Sequence, residues 1–119
     1  MIEPINTRTV PGFLLNTSRD GIEVIDAVGA PNLLLQYDLF HMQIVEGDLA
    51  KTIERLLPRI GHLQIADVPD RHEPGTGEIN FPWLLAHIDR LGYAGWIGAE
   101  YVPKGDTLEG LAWARPYLP

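Results

Sequence analysis

Apolar residues along this chain recur in two alternating styles. Short apolar runs, near residues 1–5, 33–38, 62–67 and 95–101, are each followed by a polar or Gly/Pro-rich loop and then by a stretch with helical spacing, and the run opening at Leu33 is apolar on consecutive positions. A run apolar on successive positions suits a strand buried on both faces, as in parallel sheets. The spacing predicts helices over 18–29, 48–60, 80–91 and 106–114. Ser18 reads as an N-cap ahead of Ile22, Ile25 and Val28, and Gly29 with Pro31 stops that helix. Asp48 caps the clearest stripe, Leu49, Ile53, Leu56, Leu57 and Ile60, which ends at Gly61. Asn80 caps the third helix, with Pro82 in its first turn and Gly92 at its stop. Asp106 or Thr107 opens the last, which Pro116 breaks. Strands alternating with helices across short connections imply right-handed crossovers. The expected fold is therefore α/β, four parallel βα units in a single domain over 1–119.

Composition narrows the class. With 119 residues, 45% apolar and 21% charged, the chain has the make-up of one globular domain. No apolar run approaches the ~18 residues of a membrane span, so no membrane partner is expected. Residues 1–4 place no basic stretch before an apolar one, and the chain has no cysteine. Both fit a cytoplasmic protein, with disulfides and thiolate sites excluded. Sixteen acidic against nine basic residues give a net charge of −7, which disfavours nucleic acid as a partner.

The polar residues are the informative part. Each expected strand ends in a residue that an apolar parallel strand does not need: Glu3, Asp38, Gln64 and Glu100. In parallel βα architectures the C-terminal strand ends converge on one rim, and that rim holds the chemistry. One acidic residue at a strand end is ordinarily a helix cap or loop anchor. Four in register would bring three carboxylates and an amide oxygen together, repelling one another and costly to bury unpaired. A divalent cation removes both penalties, and oxygen-only donors select Mg²⁺ or Mn²⁺. Asp67 reads either as a neighbour of the ligands or as the end of its strand.

His41 follows Asp38 by three residues, and His62 precedes Gln64 by two, on the same strand face. Beside a metal, either is a candidate substrate hydrogen-bond donor. Arg71, with His72 in the same loop, is placed to clamp a substrate carboxylate. Gly75-Thr76-Gly77 is a weak phosphate signal, because it does not join a strand directly to a helix. His87 lies mid-helix and has no assigned role.

Several segments resemble hydroxypyruvate isomerase of the xylose isomerase-like (βα)₈ barrels: Ile2-Glu3-Pro4-Ile5-Asn6, Gln36-Tyr37-Asp38-Leu39-Phe40-His41, Gly61-His62-Leu63-Gln64-Ile65-Ala66-Asp67, the run from Arg71 to Asn80, and Gly95-Trp96-Ile97-Gly98-Ala99-Glu100-Tyr101. The resemblance covers nearly the whole chain. It implies half of a TIM barrel, the fifth to the eighth strand, since a full barrel needs about 250 residues. It places Glu3, Asp38, Gln64 and Glu100 on the family's metal positions, and Glu3 and Glu100 on its proton-transferring pair. The activity implied is conversion of hydroxypyruvate to tartronate semialdehyde, an aldose–ketose type isomerisation through an enediolate. Arg71 or His62 would hold the substrate carboxylate, on a small hydroxy-keto acid or sugar-like substrate.

Two other readings compete. An abasic-site endonuclease of the same superfamily would need more histidine ligands and a basic face. A non-catalytic half-barrel would fold and self-associate without turnover. Either half-barrel exposes two strand edges, and a concave face on which Leu34, Ile65 or their alternating neighbours would meet water. A homodimer is the expected cover, pairing edge with edge or packing sheet on sheet.

Overall fold

The computed structural model describes residues 1–118. In chain order its elements are α1 (Ser18–Val28), β1 (Leu35–Asp38), α2 (Leu39–Val45), α3 (Leu49–Leu56), a 3-10 turn (Leu57–Arg59), β2 (Ile60–Ile65), α4 (Phe81–Arg90), β3 (Ile97–Ala99), α5 (Thr107–Gly110) and a 3-10 segment (Leu111–Tyr117). The strands form one parallel sheet in the order β1-β2-β3, as the alternating pattern requires.

The sheet has three strands, where four were expected. Residues 1–5 contribute a single parallel bridge, Ile2 to Leu35. The Ile2 N–H donates to the Leu34 carbonyl at 3.0 Å, and the Gln36 N–H donates to the Ile2 carbonyl at 2.8 Å. Pro4 has no N–H with which to extend the ladder, and the Ile5 N–H turns away to the Leu15 carbonyl at 2.9 Å. Four complete βα units are therefore not present among the described residues.

Helix ends also move. Thr17, not Ser18, caps α1, in a reciprocal capping box with Asp20. Gly29 closes α1 in the left-handed conformation. The long stripe from Leu49 ends as α-helix at Leu56 and tightens into the 3-10 turn Leu57–Arg59, where Pro58 has no N–H to donate to the helix. Ile60 and Gly61 then belong to β2. Asp48 precedes α3 at φ 45° without a side-chain cap. An unexpected helix, α2, follows β1 directly, and the Asp38 side chain caps it.

Alternation along the strands separates two faces. Leu35, Tyr37, Leu63 and Ile65 are buried against the helices, with Phe40, Met42, Ile53, Phe81, Leu84 and Ile88. Gly21 lets α1 lie close to that layer, since a Cβ there would stand 2.7 Å from Leu35. The opposite face carries Gln36, His62 and Gln64, paired in register as Gln36 with His62, Asp38 with Gln64, and Gln64 with Gly98. That face of the sheet is thus polar, and Ile65 is buried rather than exposed to water. Among the described residues no helix is long and apolar enough to cross a membrane.

Candidate active site

Asp38 ends β1 and begins α2, so one residue serves both the ladder and the cap. Its Oδ1 accepts the Phe40 N–H at 2.8 Å. Its Oδ2 is buried and has no hydrogen-bond partner, a state that costs free energy unless some cationic or donor group faces it. His41, in the first turn of α2, brings Nε2 to 3.6 Å from that oxygen and to 4.0 Å from Glu3 Oε1. One ligand atom from each of Glu3, Asp38 and His41 lies within 4.8 Å of the others. An orphaned, buried carboxylate oxygen beside a second carboxylate fits a hard divalent cation.

The remaining polar residues join this group as a chain. Gln36 Nε2 donates to Glu3 Oε2 and to Gln64 Oε1, both at 2.7 Å. Gln64 Nε2 donates to Glu100 Oε2 at 3.2 Å. Arg71 Nη2 donates to the same Glu100 oxygen at 2.8 Å and stands 3.6 Å from Asp38 Oδ2. The guanidinium lies 5.0 Å from the Phe40 ring centroid, which holds it over the strand ends. His62 lies over Gly98, where a Cβ would come 2.9 Å from its Nε2. The structure therefore brings Glu3, Asp38, His41, Gln64, Arg71 and Glu100 to one rim.

Crowding of carboxylates sets the electrostatics. Burial, then the charges of Asp38 and Glu100, push Glu3 up to about 7. Burial likewise raises Asp38 to about 6, against the pull of the Phe40 N–H and the Arg71 charge. Burial and then Arg71 lower His41 to about 4, so its imidazole is neutral at pH 7. A carboxyl poised near neutrality is suited to exchange a proton with a substrate carbon.

The loop carrying Arg71 is built around Asp67. Its carboxylate accepts the backbone N–H groups of Val68, Gly75, Gly77 and Ile79 at 2.8 to 3.1 Å. That makes Asp67 a loop anchor with no oxygen to spare for a metal. Gly75 and Gly77 serve this carboxylate rather than a phosphate. His72 is likewise engaged, its Nδ1 2.8 Å from the Val102 carbonyl oxygen. The Arg71 backbone is held at φ 61°, between its own N–H on the Asp67 carbonyl and the Val102 N–H on its carbonyl.

Sequence reasoning passed over Gln36 and Asn6. Gln36 was findable, since it stands two residues before Asp38 on the same strand and must share its face. Asn6 follows the Ile2 bridge in an irregular loop, where no periodicity marks it.

Residues 1–117 match the family described as xylose isomerase-like TIM barrel. The chain is 54% identical over 118 residues to the 2-oxo-tetronate isomerase of Cupriavidus necator, covering 99% of this chain and 45% of that protein. It is 50% identical over 117 residues to the hydroxypyruvate isomerase of Escherichia coli, covering 98% and 45%. A crystal structure described as AP endonuclease, family 2 from Brucella melitensis superposes with a TM-score of 0.95 at 45% identity, covering 98% of this chain and 45% of that one. The chain thus spans less than half the length of the curated relatives it matches.

Proposed function

The chain belongs to the xylose isomerase-like TIM-barrel family, and from that membership we propose that its rim of polar strand ends serves the isomerisation of a short 2-oxo acid. Hydroxypyruvate is the substrate proposed, with tartronate semialdehyde as product. One observation carries the reading: the buried Asp38 Oδ2, which accepts no hydrogen bond, beside Glu3 and His41. The names of the two relatives support the same substrate class.

The reaction moves a proton between adjacent carbons while the carbonyl shifts in the opposite sense. A carboxylate removes the proton from the hydroxyl-bearing carbon, and an enediolate forms. A carboxylic acid then returns a proton to the neighbouring carbon, and the hydroxyl proton passes to the oxygen of the former carbonyl. Glu3 and Glu100 take these roles, and Glu3 is the better poised because burial holds it near 7. Glu3, Asp38, Gln64 and Glu100 are the residues proposed to hold Mg²⁺ or Mn²⁺. When bound, such an ion supplies positive charge beside the oxygens on which negative charge develops. Arg71, its side chain 26% exposed, orients the substrate carboxylate; His41 and His62 are the proposed donors to its other oxygens.

A second reading has its own support. Glu100 is 56% exposed and already bonded to Arg71. A half-barrel of this kind folds without turning substrate over. Incubating the purified chain with hydroxypyruvate, with and without Mn²⁺, separates the two: Mn²⁺-dependent appearance of tartronate semialdehyde supports the isomerase. No conversion at high protein concentration in either condition favours the non-catalytic reading.

A further inference from the structure

We propose that Asn6 is a positioning residue that fixes the tautomer of His41, so that the imidazole presents an N–H at Nε2 to the Glu3 and Asp38 oxygens and has no lone pair there for a metal. The Asn6 amide cannot be turned round. The Thr9 backbone N–H donates to one terminal atom of the Asn6 side chain at 2.8 Å, and the Thr9 hydroxyl donates to the same atom at 3.1 Å. A backbone N–H only donates, so that atom is the amide oxygen. The amide nitrogen is then the atom 2.6 Å from His41 Nδ1.

An amide nitrogen has only hydrogens to offer. Nδ1 must therefore carry the lone pair, and the Asn6 backbone N–H, 3.4 Å away, points to the same nitrogen. In a neutral imidazole the remaining proton sits on Nε2. Both residues are almost fully enclosed, Asn6 at 0% and His41 at 1% exposure, so no water exchanges these partners freely. Nε2–H then faces Asp38 Oδ2 at 3.6 Å and Glu3 Oε1 at 4.0 Å. Three residues that look equally able to ligate a cation are thereby divided. The two carboxylates keep lone pairs for it, and His41 becomes a donor to the oxygens around it.

The consequence for catalysis rests on the isomerase reading, whereas the tautomer does not. The test is a long-range ¹H–¹⁵N correlation spectrum of the full chain labelled with ¹⁵N-histidine, at neutral pH with chelator. The His41 signals are those missing from a His41→Gln variant. Expected is an unprotonated Nδ1 and a protonated Nε2; a protonated Nδ1 overturns the proposal. Asn6→Asp keeps an acceptor for Thr9 and the size of the side chain but puts oxygen against Nδ1. In that variant, with far-UV circular dichroism unchanged, Nδ1 should gain a proton, and an unaltered tautomer would mean that Asn6 is only structural. Mg²⁺ added to the wild-type chain should leave Nε2 protonated, and loss of that proton would make His41 a ligand and end the proposal. Absence of turnover with the expected spectrum intact defeats the isomerase reading alone.

Discussion

Gln36 holds Glu3 at 2.7 Å through the same amide nitrogen that donates to Gln64. A hydrogen bond to a carboxylate favours its charged form, and this one works against the burial that raises Glu3. Gln36→Leu removes the donor and adds apolar surface, so the Glu3 pKa should rise further, above about 7. Carboxyl ¹³C titration by NMR measures it, and an unchanged or lower value would show that the bond carries no weight in solution.

Glu3 also predicts how stability follows pH. The carboxyl titrates near 4.5 when exposed and near 7 in the fold. Its contribution is fully present below pH 4.5 and is lost as pH rises through 7. Glu3→Gln abolishes that loss. Allowing for solvent screening of a partly exposed group, the variant should gain about 1–2 kcal/mol on wild type between pH 4 and pH 8. His41, lowered to about 4, acts in the opposite sense, stabilising above pH 6.5 and losing that as pH falls through 4, but it is common to both proteins. Urea unfolding at the two pH values provides the check, and a pH-independent difference would contradict the assignment.

Metal binding must displace the protons that Asp38 and Glu3 retain near neutrality. Mn²⁺ affinity measured by calorimetry should therefore fall by about tenfold per pH unit below pH 7, where Glu3 takes up its proton, and more steeply below pH 6, where Asp38 adds a second. Asp38→Asn keeps the shape but removes the charge, and should weaken Mn²⁺ by more than about tenfold at pH 8. Equal affinity in the two proteins would remove Asp38 from the site.

The loop that carries Arg71 depends on Asp67 and Gly77. A Cβ at Gly77 would overlap the Val68 carbonyl oxygen and stand 2.8 Å from Asp67 Oδ1. Gly77→Ala and Asp67→Ala should each cost on the order of 2–4 kcal/mol, the first by displacing the loop backbone and the second by stranding buried N–H groups. Thermal unfolding reads both. A midpoint within a degree of wild type for either would show that the loop is not held as described.

A polar sheet face leaves the strand edges and a few aromatic residues as the surfaces in need of cover. The edge strand β3 is preceded by Trp96, 86% exposed, and an unpaired edge with apolar neighbours favours association. We propose a second copy of the chain as that cover. Light scattering should give twice the chain mass at micromolar concentration, and Trp96→Lys should shift it toward one. A monomer at all concentrations, with and without Mn²⁺, would refute the dimer.

Local chemistry was enough to reveal the parallel α/β plan in the sequence. The apolar run Leu33-Leu34-Leu35 and the short apolar stretch at 62–67, each followed by a helical pattern, read as strands of a parallel sheet, and Asn80, Gly29 and Gly92 act within one turn of themselves. Glu3, Asp38, Gln64 and Glu100 stood out because an apolar parallel strand has no use for a terminal carboxylate or amide. Long-range geometry decided the rest. Whether residues 1–5 make a strand or one bridge depends on where the Ile5 N–H finds an acceptor, and Leu15 supplies it from a loop without periodicity. Ile60 continued a helical stripe in the sequence, yet pairing with Leu35 put it in a strand. Asp67 read equally as a ligand neighbour or as a strand end until four backbone N–H groups closed on it from up to twelve residues away. Asn6 and His41 are 35 positions apart. Which nitrogen of His41 bears the proton is therefore a property of the folded chain, set by a hydrogen bond that no spacing rule encodes.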